Sequence, residues 1–252
     1  MVQPLVTIIT ATFDSEEYIL DTYKSIQSQT YSNWEWVVTD DCSSDNTLLL
    51  LEHIESNDSR VTVLQNKENS GAAVSRNRSI KIARGEFIAF IDSDDIWDPN
   101  KLEEQLEFMG EDIDFSFTAY ELIDGSGNNL NKSVDSTQVG SFSYNDMLRK
   151  KATLGCSTVM LRRSAFDDLT MPLIRTGQDY ATWLKLLKTG KRAHVINKIL
   201  TKYRILPGSI SRNKVKKAQR QWQIYREIEK LGVFESIVNF GFYACRAVLR
   251  KA

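Results

Sequence analysis

Apolar residues follow two rhythms along the first 110 positions of the chain. Short runs rich in β-branched and aromatic residues predict buried strands: LVTIITAT (5–12), WEWVVTD (34–40), RVTVLQN (60–66) and EFIAFI (86–91). Between them, apolar positions three or four apart predict helices. These are EEYILDTYKSIQSQ (16–29), with Ile19, Leu20, Tyr23 and Ile26 in step, DNTLLLLEHIES (45–56), and residues 72–84 after Gly71. DPNKLEEQLEFM (98–109) predicts a further helix, with Asp98 as N-cap and Pro99 at its first position. Strands alternating with helices predict a mainly parallel central sheet covered on both faces. In such sheets ligands bind beyond the carboxyl ends of the strands. The polar clusters 14–17, 40–45, 66–70 and 92–95 all fall at those ends.

The second half is less regular. DFSFTAYELID (114–124) alternates like a strand and GSGNN makes a turn after it; CSTVMLR (156–162) is another strand, and QDYATWLKLLKTG (178–190) is an amphipathic helix ending at Gly190. Val215, Ala218, Trp222, Tyr225, Ile228 and Leu231 recur at helical spacing, so residues 213–231 read as an amphipathic helix, with a second segment over 233–250. Only ten residues separate Glu235 from Arg246, short of the roughly 20 apolar residues that a spanning helix needs. No repeat and no linker divides the chain. The expected organisation is one α/β domain over 1–205, with halves 1–110 and 111–205, and a basic helical appendage over 206–252.

Composition changes this picture in one respect. With 42% hydrophobic and 26% charged residues the chain has the profile of a soluble globular protein, and a net charge of −1 argues against a nucleic-acid partner. The charge is uneven, however. Residues 202–252 hold 12 Lys/Arg against 3 Asp/Glu, leaving 20 against 30 in the rest. A basic tail on an acidic body predicts an anionic partner for the tail, a phosphate or a membrane surface. Cys42, Cys156 and Cys245 are odd in number and far apart, so neither a disulfide framework nor a zinc cluster is expected. Residues 1–13 lack the basic n-region and cleavage site of a signal peptide, so the cytoplasm is the expected compartment.

Several phosphate motifs are missing: no G-x-G-x-x-G follows the first strand, and there is no G-x-x-x-x-G-K-[ST] and no G-x-S-x-G. The candidates left are carboxylates. Asp92-Ser93-Asp94 follows an apolar strand and suits a hard divalent cation that bridges to a substrate diphosphate. The competing reading is a solvated, helix-capping loop, which Asp95 and Asp98 fit as residues flanking a helix start. Asp40-Asp41 reads as a turn or as a ligand for a base or ribose. Asp179 reads as a carboxylate favoured by a helix N-terminus or as a general base.

Taken together, VTIITATFDSEEYI, VVTDDCSSDNT, NSGAAVSRNRSI, FIAFIDSDDIWDP and TGQDYATWLKLL resemble glycosyltransferase family 2, in order and spacing, over nearly the whole chain. The likeness is to bacterial enzymes of cell-surface polysaccharide assembly, of the teichuronic-acid and O-antigen type, which the YRILPGSISRNK stretch and basic tail also resemble. The resemblance implies a GT-A nucleotide-diphospho-sugar transferase fold with a C-terminal helical appendage, residues 1–110 binding nucleotide and 111–205 the acceptor. It implies that Ala11 and Phe13 embrace the base, that Asp41 binds it, and that Arg76 lies near the nucleotide. Asp92 would contact the ribose or the metal, with Ser93 among the nucleotide-binding residues. Asp94 would be the principal ligand of Mn²⁺ or Mg²⁺, and Asp179 the catalytic base.

The family often has Asn at Asp14, Gly at Cys42 and Glu at Gln178. The first two departures are expected to tune the pocket and the third to alter acceptor contacts. The implied reaction is an inverting, metal-dependent transfer of a hexosyl group from a nucleotide-diphosphate donor, expected to be a UDP-sugar, to a glycan or lipid-linked acceptor. Arg204, Arg212 and Lys214 are candidates for holding the pyrophosphate. The tail, 213–252, would meet a membrane surface at the inner face of the cytoplasmic membrane or pack on the body, and a homo-oligomer is a further expectation. The alternatives are a sugar-nucleotide nucleotidyltransferase, which would need a Gly- and Lys-rich loop after the first strand, and a non-catalytic binding module, which has no use for Asp179.

Overall fold

The computed structural model describes residues 3–206 and 214–249. Strands β1 (Val6–Thr12), β2 (Trp34–Asp40), β3 (Val61–Gln65) and β4 (Phe87–Phe90) alternate with helices α1 (Ile19–Gln27), α2 (Thr47–Asn57) and α3 (Ala72–Ile82). Next come β5 (Ile96–Trp97), α4 (Lys101–Met109), β6 (Phe115–Ile123), β7 (Asn129–Val134), β8 (Ser141–Phe142), α5 (Tyr144–Leu148), β9 (Val159–Arg162), α6 (Gln178–Leu187) and β10 (Ala193–Arg204). Helix α7 (Lys214–Gln223), a π-helical turn (Ile224–Ile228) and α8 (Val233–Leu249) end the chain.

The sheet has the order β3-β2-β1-β4-β9-β6-β10-β5, with β7 beside β6 and β8 beside β10. β1 to β4 are mutually parallel, and β10 is parallel to β6. Because β9 runs antiparallel to both β4 and β6, those two point the same way. Six of the longer strands therefore share a direction, and β9 alone among the inner strands opposes them. The chain leaves β1 toward β2 and β3 on one side and returns to β4 on the other, so a topological switch point opens between β1 and β4.

Period-two alternation fills two cores. On β4, Phe87, Ala89 and Ile91 join Ile19, Ile26, Leu51 and Leu102 on one face; Ile88 and Phe90 join Ala73, Leu148, Trp183 and Leu184 on the other. α1, α2 and α4 thus cover one face, and α3, α5 and α6 the other. Ile224, Tyr225 and Leu231 belong to the second core, so the chain after β10 is joined to the body.

Helix 98–109 begins later than its sequence suggests. Its N-cap is Asn100, while Asp98 accepts from the Asn100 N–H at 3.0 Å. The two-residue β5 ends just before it, paired with β10, and leaves Asp98 and Pro99 as the connection into the helix. β10 carries register shifts between Ile196 and Thr201, so its burial does not alternate; this is why 193–204 does not read as a strand. α5 carries a legible cap, in which Ser143 and Asp146 form a capping box.

At the amino edge of the sheet a buried carboxylate ties three strand starts together. Glu35 accepts from the Thr7 hydroxyl at 2.6 Å, the Arg84 N–H at 2.8 Å and Arg84 Nε at 2.7 Å, and Thr7 Oγ1 accepts from the Gly85 N–H at 2.8 Å. Burial opposes ionisation of Glu35, but these donors outweigh it and hold the carboxyl below its usual range. A depressed folded-state pKa contributes stability that is present above the unfolded value and lost as pH falls through the folded one. Replacing Glu35 by Gln should therefore flatten the acid limb of the stability-versus-pH curve. Gly85 is fixed by space: a Cβ there would stand 2.5 Å from Thr7 N and 2.7 Å from Phe87 O. Gly85→Ala should cost on the order of 1–3 kcal/mol, read as a fall in Tm of roughly 2–4 °C per kcal/mol.

Candidate active site

The switch point gathers the loops after β1, β2, β3 and β4 on one edge. After β1 the chain turns at Asp14, whose φ is +47°; after β2 it turns at Cys42, whose φ is +64°. Both are left-handed, a conformation that Asn and Asp tolerate and that glycine adopts without a Cβ penalty. The two turns lock on each other: the Asp14 N–H donates to Ser43 Oγ at 3.0 Å and the Ser44 N–H to Asp14 Oδ1 at 2.7 Å. Their departures from the family's Asn and Gly thus fall where backbone conformation is the constraint. Phe13 projects from this turn with 45% of its surface exposed, at the rim of the edge. Ala11 lies in β1 opposite Thr39 of β2 and is half-buried.

Asp41 is buried beneath the β3–α3 loop. Its carboxylate accepts from Asn66 Nδ2 at 2.6 Å and from the Ser70 and Gly71 N–H groups at 2.9 and 2.7 Å. These bonds draw the loop over the end of β2, and Gly71, at φ +93°, lets the chain enter α3. Asp41 therefore holds the shape of the pocket wall, with lone-pair positions left for a ligand.

The end of β4 is the crowded part. Asp92 Oδ1 accepts from Arg76 at 2.5 Å, and its N–H donates to Ser157 Oγ at 3.0 Å. Ser93 Oγ shares a hydrogen bond of 2.8 Å with Ser15, joining the β4 and β1 loops. Burial, with Asp92 adding to it, pushes the Asp94 carboxyl up to about 6, and no other described residue donates a hydrogen bond to it. Asp95 does not begin a helix. It is fully buried, accepting from Ser157 Oγ at 2.5 Å and from the Arg204 N–H at 2.9 Å, and so binds β4 to the start of β9 and the end of β10. Burial first, then Asp94 and Asp92, push its carboxyl well above the ordinary value.

Arg76, on the first turns of α3, is 5% exposed. Besides its bond to Asp92 its Nε and one terminal nitrogen have no partner. Burial opposes its charge, but Cys156, Asp92 and Asp179 around it outweigh that and hold the guanidinium above its usual value. Asp179, in the first turn of α6, is raised by burial and by Asp92, against the Tyr180 N–H, Arg76 and Lys150. Arg76 is thus the group that brings the β4 carboxylates and Asp179 into one electrostatic cluster. Gln178, beside Asp179, is 9% exposed and its Oε1 is buried without a partner.

Arg204 has two of its three nitrogens engaged, the other terminal nitrogen being buried without a hydrogen-bond partner. Its Nε donates to the Asp94 carbonyl at 2.8 Å and a terminal nitrogen to the Gly125 carbonyl at 2.7 Å. It braces the β4 loop from behind. Arg212 and the side chain of Lys214 lie outside the described residues. Ser157 and Cys156 were not legible as site residues. They arrive because β9 runs antiparallel, which puts the strand's beginning at this edge; CSTVMLR names the strand but not its direction.

A sheet of this order, with acidic loops at its carboxyl edge, is the GT-A architecture, and solved structures agree. Staphylococcus aureus TarS in complex with UDP-GlcNAc superposes with a TM-score of 0.71 at 21% identity, covering 93% of this chain and 70% of that one. The mannosyltransferase PcManGT from Pyrobaculum calidifontis, in complex with GDP-Man and Mn²⁺, superposes with a TM-score of 0.67 at 18% identity, covering 96% of this chain and 70% of that one. The sequence model for Glycosyl transferase family 2 matches residues 7–170, and the chain belongs to that family. TuaG of Bacillus subtilis (strain 168), a glycosyltransferase named for teichuronic acid biosynthesis, is 44% identical over 99% of this chain and 98% of its own. WfgD of Escherichia coli, named UDP-Glc:alpha-D-GlcNAc-diphosphoundecaprenol beta-1,3-glucosyltransferase, is 40% identical over 87% of this chain and 85% of its own. The protein is a glycosyltransferase, which sets aside the nucleotidyltransferase and the non-catalytic binding module.

The left-handed turn after β2 yields a direct test. A Cβ at positive φ costs about 1–2 kcal/mol, partly offset by the larger unfolded-state entropy of glycine. Cys42→Gly should raise stability by about 0.5–1 kcal/mol in denaturant melts and leave donor binding unchanged.

Proposed function

We propose that this enzyme transfers a hexosyl group, with inversion, from a UDP-sugar to a hydroxyl of a lipid-linked or glycan acceptor during surface-polysaccharide synthesis at the inner face of the cytoplasmic membrane. The observation that carries the reading is Arg76, buried between Asp92 and Asp179 with two unpartnered nitrogens. It couples a carboxylate pair suited to a diphosphate complex to a carboxylate suited to take a proton. UDP as the carrier is supported by the UDP-glucose in the name of WfgD and the UDP-GlcNAc of the TarS complex. The acceptor class is supported by the lipid-linked acceptor in the WfgD name and by the pathway in the TuaG name.

The residues present fit a divalent cation in one respect. Asp94 receives no hydrogen bond from another described residue; Arg204 and Arg76 act on its carboxyl through space, burial and Asp92 outweigh them and raise it, and Asp92 stands beside it. The described residues contain no cluster of three ligand-type side chains. Two carboxylates suit Mg²⁺ or Mn²⁺, which keep water and substrate phosphates in their remaining positions. Bound there, the ion would offset the charge of the departing diphosphate.

The rest falls to the chain itself. Phe13 and Ala11 flank the base, Asp41 holds the β3–α3 loop against it, and Asp92 and Ser93 line the ribose. Asp179 accepts the proton of the acceptor hydroxyl as its oxygen attacks the anomeric carbon, opposite the leaving diphosphate. A carboxyl raised by burial is the better base for this, because the ideal pKa lies nearer the working pH. Gln178 leaves Asp179 without a charged neighbour at that position and offers an amide oxygen to the acceptor.

Two measurements test this. In a screen of nucleotide sugars with Mn²⁺, Asp179→Asn should lower kcat by about 10²–10⁴ while UDP-induced thermal stabilisation persists; full activity would refute the base assignment. Mn²⁺ affinity should depend on pH through Asp94. Its pKa of about 6 means a proton must leave before the cation binds, so affinity should fall about tenfold between pH 7 and pH 5. Asp94→Ala should abolish Mn²⁺-dependent UDP binding at either pH.

A further inference from the structure

Helix α8 is inside out. The side chains it turns toward the body include Ser236, fully buried and donating to the Gly232 carbonyl just before the helix, and Asn239, 5% exposed and donating to the Glu235 carbonyl. Apart from Glu235, the side chains it turns to solvent are apolar or small: Phe234 at 81% exposure, Ile237 at 55%, Val238 at 38% and Phe242 at 40%, with Gly241 and Cys245 between them. Positions 234, 237, 238, 241, 242 and 245 lie on one stripe at 3.6 residues per turn. A soluble helix buries such a stripe; here the body takes Ser236 and Asn239, with Phe240 packed against the core.

From this we infer that α8 docks on an anionic lipid bilayer, lying in the interface with Phe234, Ile237, Val238 and Phe242 among the acyl chains. The inference rests on the membrane-side acceptor reading above and adds the surface that would meet the membrane. Charge favours a lipid surface. Helix α7, which packs on α8, and the turn before α8 carry the exposed Lys216 and Lys230, α8 itself carries Arg246 and the single acid Glu235, and the Arg149 guanidinium stacks 5.0 Å over the Phe242 ring at the edge of the stripe. Basic groups beside an apolar face suit anionic headgroups. They disfavour a second copy of this chain, because a twofold contact sets the same basic groups against themselves. α8 lies flat: no described helix is long and apolar enough to cross a membrane.

The position of the stripe gives it a use. Lys150 follows Arg149 in sequence, stands 3.1 Å over the Tyr180 ring and acts electrostatically on Asp179. Arg149 and Lys150 therefore connect the apolar stripe to the mouth of the site. An enzyme seated on α8 holds Asp179 close to the headgroup plane, where the reducing-end phosphates of a lipid-linked glycan lie.

Flotation of the full chain tests this with vesicles of phosphatidylethanolamine and phosphatidylglycerol against vesicles of phosphatidylcholine alone. The parent should float with the anionic vesicles, less so at high salt. The triple variant Phe234→Ser, Ile237→Ser, Phe242→Ser should lower the floated fraction by about tenfold, with Tm and UDP-induced stabilisation unchanged. Failure of the parent to float, or equal flotation of the variant, overturns the proposal. So does light scattering that gives a parent dimer and a variant monomer, which would assign the face to a second copy. Loss of UDP stabilisation in the parent would count against the donor reading instead and leave the flotation result standing.

Discussion

Three carboxylates within four residues, Asp92, Asp94 and Asp95, close a fully buried strand, and the surrounding edge is arranged to hold them there. Each is met differently. Asp92 has a buried guanidinium; Asp95 has a hydroxyl and a backbone N–H; Asp94 has neither. A guanidinium therefore meets the charge at Asp92 alone; Asp95, pushed up by burial and by its two neighbours, is held by hydrogen bonds, and Asp94 by none from another described residue. The charge on Asp94, the carboxylate nearest to solvent access among the last two, is what a cation-bearing diphosphate would neutralise. Asp95, which bonds β4 to β9 and β10, and Asp94, which receives no such bond, are neighbours distinguished by what tertiary structure brings to them.

The same edge shows how a framework residue can shape a ligand pocket without leaving its framework role. Asp41 folds the β3–α3 loop with three hydrogen bonds. Arg204 secures the Asp94 carbonyl from behind and the Asp95 carboxyl through its N–H. Ser157 accepts from the Asp92 N–H and donates to Asp95. The β4 loop is thus fixed from the end of β10 and from the turn before β9, and its geometry before a ligand arrives is already constrained. Such preorganisation is what electrostatic catalysis requires, since charges that must reorient during reaction forfeit much of their effect.

The chain after β10 divides into parts with opposite fates. Ile224, Tyr225 and Leu231 enter the core, and Tyr225 bonds the Leu148 carbonyl of α5, so this part belongs to the body. α8 then departs from the rule that apolar faces turn inward, and Arg149, the neighbour of Lys150, stacks on that outward face. Fold and interaction surface are here written on adjoining turns of one segment.

Much of this was determined by the sequence alone. Alternating strands and helices, the carboxyl-edge placement of the acidic clusters, and five motifs in register were enough to specify the parallel half and the family, because local periodicity and short-range motifs act within a few residues. What only tertiary structure decided depends on partners far away in sequence. β10 was hidden by its bulge. Asp95 and Asp98 read as a helix start until β5 paired with β10 and took the positions between them. Ser157 and Cys156 reached the site through the reversed direction of β9, which no local pattern encodes. The outward face of α8 likewise followed from which side the body left uncovered: an amphipathic helix declares two faces in its sequence, and only packing decides which of them meets water.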